Sequence, residues 1–210
     1  MHFPRTAEEQ QARFIAEFAD VELPVLMSSN LGLAGAWTIP GDTGTDLLHL
    51  YGPLSGLADL TASARWIAQL PPDHPYLRLY EWISGTDIRY ARTVRSLLDP
   101  VDHGWWERRV QVPLAAPYFV ATCRYGLTGE RTVRRGLSTA LRAIDANGQV
   151  SVAMAYDTLF GDFGSTRVIG TAPTAEIFDA VLNEHTAPSA ADRDPWAIAA
   201  AVPAPYSPLR

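Results

Sequence analysis

Apolar Phe14, Ile15 and Phe18 sit three and four apart in a polar stretch. Just ahead, Thr6-Ala7-Glu8-Glu9 has the spacing of a capping box, so the pattern predicts a first helix over about residues 7 to 19. After Pro24, residues 31 to 38 and 45 to 51 read as strands, parted by the turn-rich Pro40-Gly41-Asp42-Thr43-Gly44. Leu57, Leu60, Ala64 and Ile67 recur at helical spacing and predict a second helix, capped by Ser55 and stopped by Pro71-Pro72. From Tyr76 the pattern shortens into runs rich in aromatic and β-branched residues: 76 to 83, 87 to 95, 105 to 112, 117 to 125, 132 to 144 and 149 to 158. The sharpest hairpin signal is Asp145-Ala146-Asn147-Gly148, between Leu137-to-Ile144 and the alternating Val150, Val152, Met154 and Tyr156.

Two segments fit both periods. Residues 87 to 98 place Ile88, Ala91, Val94 and Leu98 at helical spacing, and 131 to 144 do the same with Val133, Leu137, Leu141 and Ile144, so strand and helix stay open for each. A third helix is expected over 174 to 185, with Thr174 as cap and Ile177, Phe178, Val181 and Leu182 on one side. Beyond His185 the chain turns to Ala, Pro and Ser, with one turn of helix expected at Pro195 to Ala201. Strands following strands, with helices at the N-terminus, after the second strand and near the C-terminus, define an α+β class. Its sheet is an antiparallel meander of about six to eight strands. The expected organisation is one domain over 1–186 and an Ala/Pro-rich tail, 187–210, lying on the surface or on a partner.

Composition narrows the chemistry. The chain has 210 residues and no lysine; all 17 basic residues are arginine. Schiff-base enzymes, Walker-type phosphate loops and protein kinases all use a lysine amine, and arginine cannot replace a group that must deprotonate or act as a point charge. The same bias, with abundant Ala, Pro and Gly, points to a G+C-rich, bacterial coding origin. A net charge of −6 argues against a general nucleic-acid or anionic-membrane surface. Cys123 is the single cysteine, which excludes an internal disulfide and a thiolate cage. No signal-peptide core or membrane-length apolar run stands in the sequence, so a cytoplasmic location is the expectation. No His, Cys and carboxylate spacing matches a metal site, and no cofactor is expected.

Alternate residues of a strand share a face, so Tyr76, Arg78, Tyr80 and Trp82 present one aromatic, cationic side of the 76 to 83 run. Later strands carry Arg92, Arg108, Arg124 and Arg142 near their middles, with Tyr90, Trp105 and Trp106 beside them. A concave surface built this way suits an aromatic or acyl anion. Arg78, Arg92, Arg108 and Arg124 would hold the charge; Tyr80, Trp82 and Trp106 would stack on the apolar part. The plainer reading is a solvated sheet face on which arginines pair with acids and drape over rings. Small residues Ser138, Ala140, Ser151, Ala153 and Ala155 are read as letting a helix approach the sheet closely. For proton transfer the best pair is His103 with Asp102, since a neighbouring carboxylate can orient an imidazole; His49 and Asp73-His74 are alternatives.

Asp42-Thr43-Gly44-Thr45 resembles the Asp-Thr-Gly-Thr/Ser motif of aspartic proteases, with Val168-Ile169-Gly170 as an echo of that family's downstream element. With a single copy, the resemblance implies a homodimer in which two Asp42 carboxylates share a proton. Ser55 reads as a helix cap, Gly161-to-Thr166 as a surface loop, and Cys123 as a small buried hydrophobe. The function expected is small-molecule binding, with cofactor-independent lyase, isomerase or cyclase chemistry. The rival is a non-catalytic interaction module, an immunity, adaptor or assembly protein, docking a protein partner or a second copy.

Overall fold

The computed structural model describes residues 1–28, 33–51, 65, 68–75, 77, 90–96, 117–125, 137, 140–141, 143–144, 146–160, 164–186 and 196–207; for 23, 25–28, 34, 90–96 and 157–160 it describes the backbone. The fold is of the α+β class, with antiparallel strands. The chain divides into two compact units, Met1–Thr86 with Arg109–Pro113 and Pro203–Arg210, and Asp87–Arg108 with Leu114–Val202.

In the first unit β1 (His2–Pro4) pairs with β3 (Gly44–Tyr51), which pairs with β2 (Leu33–Pro40), all antiparallel. The apolar stripe of α1 (Glu8–Ser28) supplies Phe14 and Phe18, both fully buried with Phe3, Leu33, Ala36 and Leu47. The Phe3 and Phe14 rings lie 5.4 Å apart. The helix does not stop near residue 19; it runs through Pro24, whose fixed φ is helical and whose missing N–H removes a single ladder bond. Thr6 lies inside a 3-10 turn, Arg5–Ala7, entered from an extended Pro4, so that turn leads the chain into α1.

The second helix expected from the sequence is present at Arg65 and Ala68 and ends in a turn at Gln69, ahead of Pro71-Pro72; its start lies outside the described residues. Pro75 and Leu77 are helical, which corrects the strand expected from residue 76. The Leu77 N–H donates to the His74 carbonyl at 3.0 Å, and a proline favours the first turn of a helix.

Among the described residues of the second unit, five strands stand in the order β8-β5-β7-β6-β4: β8 (Ala197–Pro203), β5 (Tyr118–Arg124), β7 (Ser165–Thr171), β6 (Ser151–Phe160) and β4 (Tyr90–Ser96). Of these, β6 and β7 form a sequential hairpin; β4 reaches β6, and β5 reaches β7, across intervening chain. The ambiguity at 87 to 98 resolves as strand β4. That at 131 to 144 resolves the other way: Leu137, Ala140, Leu141 and Ile144 are helical and buried on one stripe. The hairpin expected at 145 to 148 is therefore a helix end. Gly148 has φ +73° and the Gln149 N–H donates to Asn147 Oδ1 at 3.3 Å, so Asn-Gly supplies the left-handed residue that a helix C-terminus and a tight hairpin both require.

The turn of helix expected at Pro195 to Ala201 is a strand instead. Ala197–Ala201 pair with β5 from Thr122 to Tyr118, and Trp196 is buried. Small side chains permit either structure, and the exposed edge of β5 decides between them.

The third helix forms as expected: α2 (Ala175–Thr186) is capped by Thr174, whose Oγ1 accepts the Ile177 N–H at 3.3 Å. Replacing Thr174 by Ala is expected to lower stability by about 1 kcal/mol in chemical denaturation. Phe178, Val181 and Leu182 of α2 join Leu137, Leu141 and Ile144 against Phe119, Ala121, Cys123, Val152, Ala155 and Val168 of the sheet. Cys123 is thus the buried hydrophobe its neighbours suggested. Among the described residues no helix is long and apolar enough to cross a membrane.

Candidate functional site

The registers of β5, β7 and β6 sort the second unit's sheet into two faces, since directly opposed residues point the same way. Ala121 stands opposite Val168, and both belong to the layer covered by the helices. Thr122 stands opposite Arg167, and Arg167 opposite Tyr156, so these three lie on the other face. Stepping by two along each strand adds Tyr118, Val120 and Arg124, then Ser165, Ile169 and Thr171, then Met154. Val120, Met154, Tyr156, Ile169 and Thr171 are buried. Arg124 and Arg167 are the charged groups at the described positions of this face; no Asp or Glu stands among them.

Arg167 is half-buried in the middle of β7. Its Nε is inaccessible and has no hydrogen-bond partner. A buried N–H of a permanent cation is costly to leave unmatched, and the guanidinium is built to bind a flat oxyanion through two parallel bonds.

The residues expected from the sequence fall out unequally. Arg124 lies on this face, exposed at the end of β5 and opposite Ser165. Arg92 is in β4 opposite Asp157, one residue out of step with Thr93, which stands level with Tyr156. Arg78, Tyr80, Trp82, Asp102, His103, Trp106 and Arg108 lie outside the described residues. Arg167 was missed. Its signal is the alternation Ser165, Arg167, Ile169 against Thr166, Val168, Gly170, hidden because the preceding glycine-rich loop drew the reading toward a turn.

In the first unit a second polar cluster surrounds His49, one of the sequence alternatives. Its Nδ1 is 2.8 Å from Tyr51 Oη and its Nε2 is 2.8 Å from Tyr206 Oη. Tyr51 donates a long bond, 3.5 Å, to Oε1 of the buried Glu22. That leaves the Tyr51 oxygen to accept from His49 Nδ1–H, and His49 Nε2 to accept from the Tyr206 O–H. The Phe18 ring lies 4.4 Å from both His49 and Tyr206. Burial, and then the positive amino terminus, push the imidazole down to about 3. Burial, and then the Glu22 carboxylate, hold the Tyr206 hydroxyl well above its usual range. A neutral His flanked by a tyrosine that resists ionisation is a poor general base at neutral pH. The cluster holds the C-terminal segment in place, together with Ala204 N–H to the Ala36 carbonyl at 2.9 Å and Ala36 N–H to Ser207 Oγ at 3.0 Å. Asp42 is exposed on the turn between β2 and β3. The proton-sharing dyad that the resemblance implies would have to form between two copies of the chain.

No protein-family model matches the chain, and no curated protein sequence matches it. Solved structures do share the fold. One is a candidate monooxygenase from Lactobacillus acidophilus, with a TM-score of 0.55, 9% identity, and coverage of 94% of this chain and 89% of that one. Another is a heme-binding protein from Thermus thermophilus, with a TM-score of 0.52, 14% identity, and coverage of 96% and 88%. At such identities the likeness is one of fold.

Proposed function

We propose that this chain binds a small aromatic or acyl anion on the Arg167 face of its second unit. The observation that supports this reading best is the buried, unpartnered Nε of Arg167, set between Thr122 and Tyr156 on a face without described carboxylates. Tyr156, Met154 and Ile169 supply apolar floor for a ring or chain, while the guanidinium takes the anion. A buried N–H of this kind is costly to leave unmatched, and an oxyanion is an acceptor that a guanidinium fits. The finer parts of the proposal rest on the sequence. Arg78 and Arg108 are proposed as further anion contacts, Tyr80, Trp82 and Trp106 as stacking groups, and His103 with Asp102 as the proton-transfer pair of a cofactor-independent lyase, isomerase or cyclase, whereas the register of Arg92 with Asp157 puts that residue out of step with this face.

Heme, which the Thermus thermophilus protein's name specifies, needs an axial donor. The described positions of the Arg167 face hold no histidine. His185 has a buried Nε2 without a hydrogen-bond partner, but it sits seven residues after Phe178 on the core-facing stripe of α2, in line with Leu182. That layer is filled by apolar side chains, with the Phe119 and Phe178 rings 5.6 Å apart. With no described histidine on that face, the proposed binding rests on guanidinium and ring groups.

The test is equilibrium titration with 1-naphthalenesulfonate, a flat monoanion. Wild type is expected to bind it, and Arg167→Gln to weaken binding by roughly 10-fold or more while keeping its circular dichroism spectrum. Equal affinity in the two proteins would remove the site.

A further inference from the structure

Thr122 of β5 stands between Arg167 of β7 and Ala197 of β8, and its neighbours along β5 on the same face are Val120 and Arg124. Alanine and valine carry no polar side-chain atom and a guanidinium only donates, so none of these four side chains offers the Thr122 hydroxyl an acceptor. Arg167, directly opposite, has a buried Nε–H that is equally unmatched. Two donors thus stand side by side, their β-carbons roughly 4.5–5.5 Å apart as in any directly opposed pair. Their heights agree as well. Nε lies nearer the sheet than the two Nη groups at the tip of the fork, and a threonine carries its hydroxyl on the β-carbon itself. An anion that reaches Nε is therefore held low on the face, where a short side chain can meet it. Exposure falls along this row from Ala197 through half-buried Thr122 and Arg167 to buried Tyr156, so Thr122 stands on the solvent side of the seat.

We infer, on the footing of the binding face proposed above, that Thr122 is a second binding residue of this seat, donating its hydroxyl to the same oxyanion that takes Nε–H and one Nη–H of Arg167. Arg167 supplies the charge and a two-bond edge. Thr122 closes the solvent side of the anion and fixes its rotation, which turns the ligand's apolar part toward Tyr156 and Ile169. A carboxylate, sulfonate or phosphate keeps lone pairs for this third donor after the fork is satisfied. Thr122 thereby sets affinity for the anionic group and not for the ring.

A double-mutant cycle read by titration with 1-naphthalenesulfonate tests this. Thr122→Val keeps the branched shape and removes the hydroxyl; it is expected to weaken binding roughly 10-fold. Thr122→Ser keeps the donor and is expected to stay within about 3-fold of wild type. In an Arg167→Gln background Thr122→Val is expected to cost no more than about 2-fold, because the anion it serves is no longer anchored. Thr122→Val within about 2-fold of wild type, where Arg167→Gln loses affinity, would overturn the assignment of Thr122 and leave the Arg167 site standing. Equal losses in Thr122→Val and Thr122→Ser would also overturn it, since packing and not the hydroxyl would then be at work, and so would losses that simply add in the double variant. Arg167→Gln without effect on binding would remove the binding face and this assignment together.

Discussion

Below pH 6.5 the first unit is expected to lose stability through His49 alone by about 1.4 kcal/mol per pH unit, reaching about 3 kcal/mol at pH 4. The imidazole is pushed down to about 3 in the fold, from 6.5 in the open chain, chiefly by burial among Phe14, Phe18, Tyr51 and Tyr206. The sign follows from which state binds the proton first. Above 6.5 both states hold a neutral ring and nothing is lost; between 6.5 and about 3 only the unfolded chain is protonated, so stability falls as pH falls; below about 3 the loss levels off. His49→Gln removes the titrating ring but keeps a donor and an acceptor between the two tyrosines. Urea unfolding at pH 7, 5 and 4 should show a difference between wild type and this variant that shrinks steadily on acidification. A difference independent of pH would mean that the ring is protonated in the native fold.

Gly170→Ala is expected to destabilise the second unit by about 2 kcal/mol, an unusual cost for one methyl group. A Cβ at this position would lie 2.6 Å from the Ser151 carbonyl oxygen, 3.2 Å from Val152 Cα and 3.1 Å from Phe178 Cε2. Backbone on one side and a ring on the other leave no easy direction of relief. Phe178→Ala in the same chain would free the ring side only, so it is expected to recover little, and its own cavity adds a further loss. Thermal unfolding of the two single variants and the double variant checks this. A neutral Gly170→Ala would show that helix and strand do not meet as closely as the fold requires.

Much of this architecture was legible because hydrophobic periodicity reports which side of an element is buried. The capped α2, the alternation of β6 and the buried Cys123 follow from local pattern alone. The errors share a physical cause, in that each turned on a choice the local chain does not make. Leu137, Leu141 and Ile144 suit a strand or a helix, and Asn147-Gly148 suits a hairpin or a helix end; packing onto the sheet decides both. Ala197–Ala201 carries one β-branched residue, Ile198, among four alanines, a weak strand signal, and it becomes a strand because β5 offers an edge. Of the expected anion contacts Arg124 stands on the same face as Arg167, and the buried Nε of Arg167 had no signal in the local sequence. Pairing across three strands created that environment, and no window of sequence contains it.

The most direct test of the central claim is a crystal structure with 1-naphthalenesulfonate. Density for the probe should lie over Tyr156 and Ile169, with its oxyanion in the fork of Arg167 and within hydrogen-bond reach of Nε. A probe bound elsewhere, with the Arg167 guanidinium satisfied by a carboxylate of its own chain, would contradict the account.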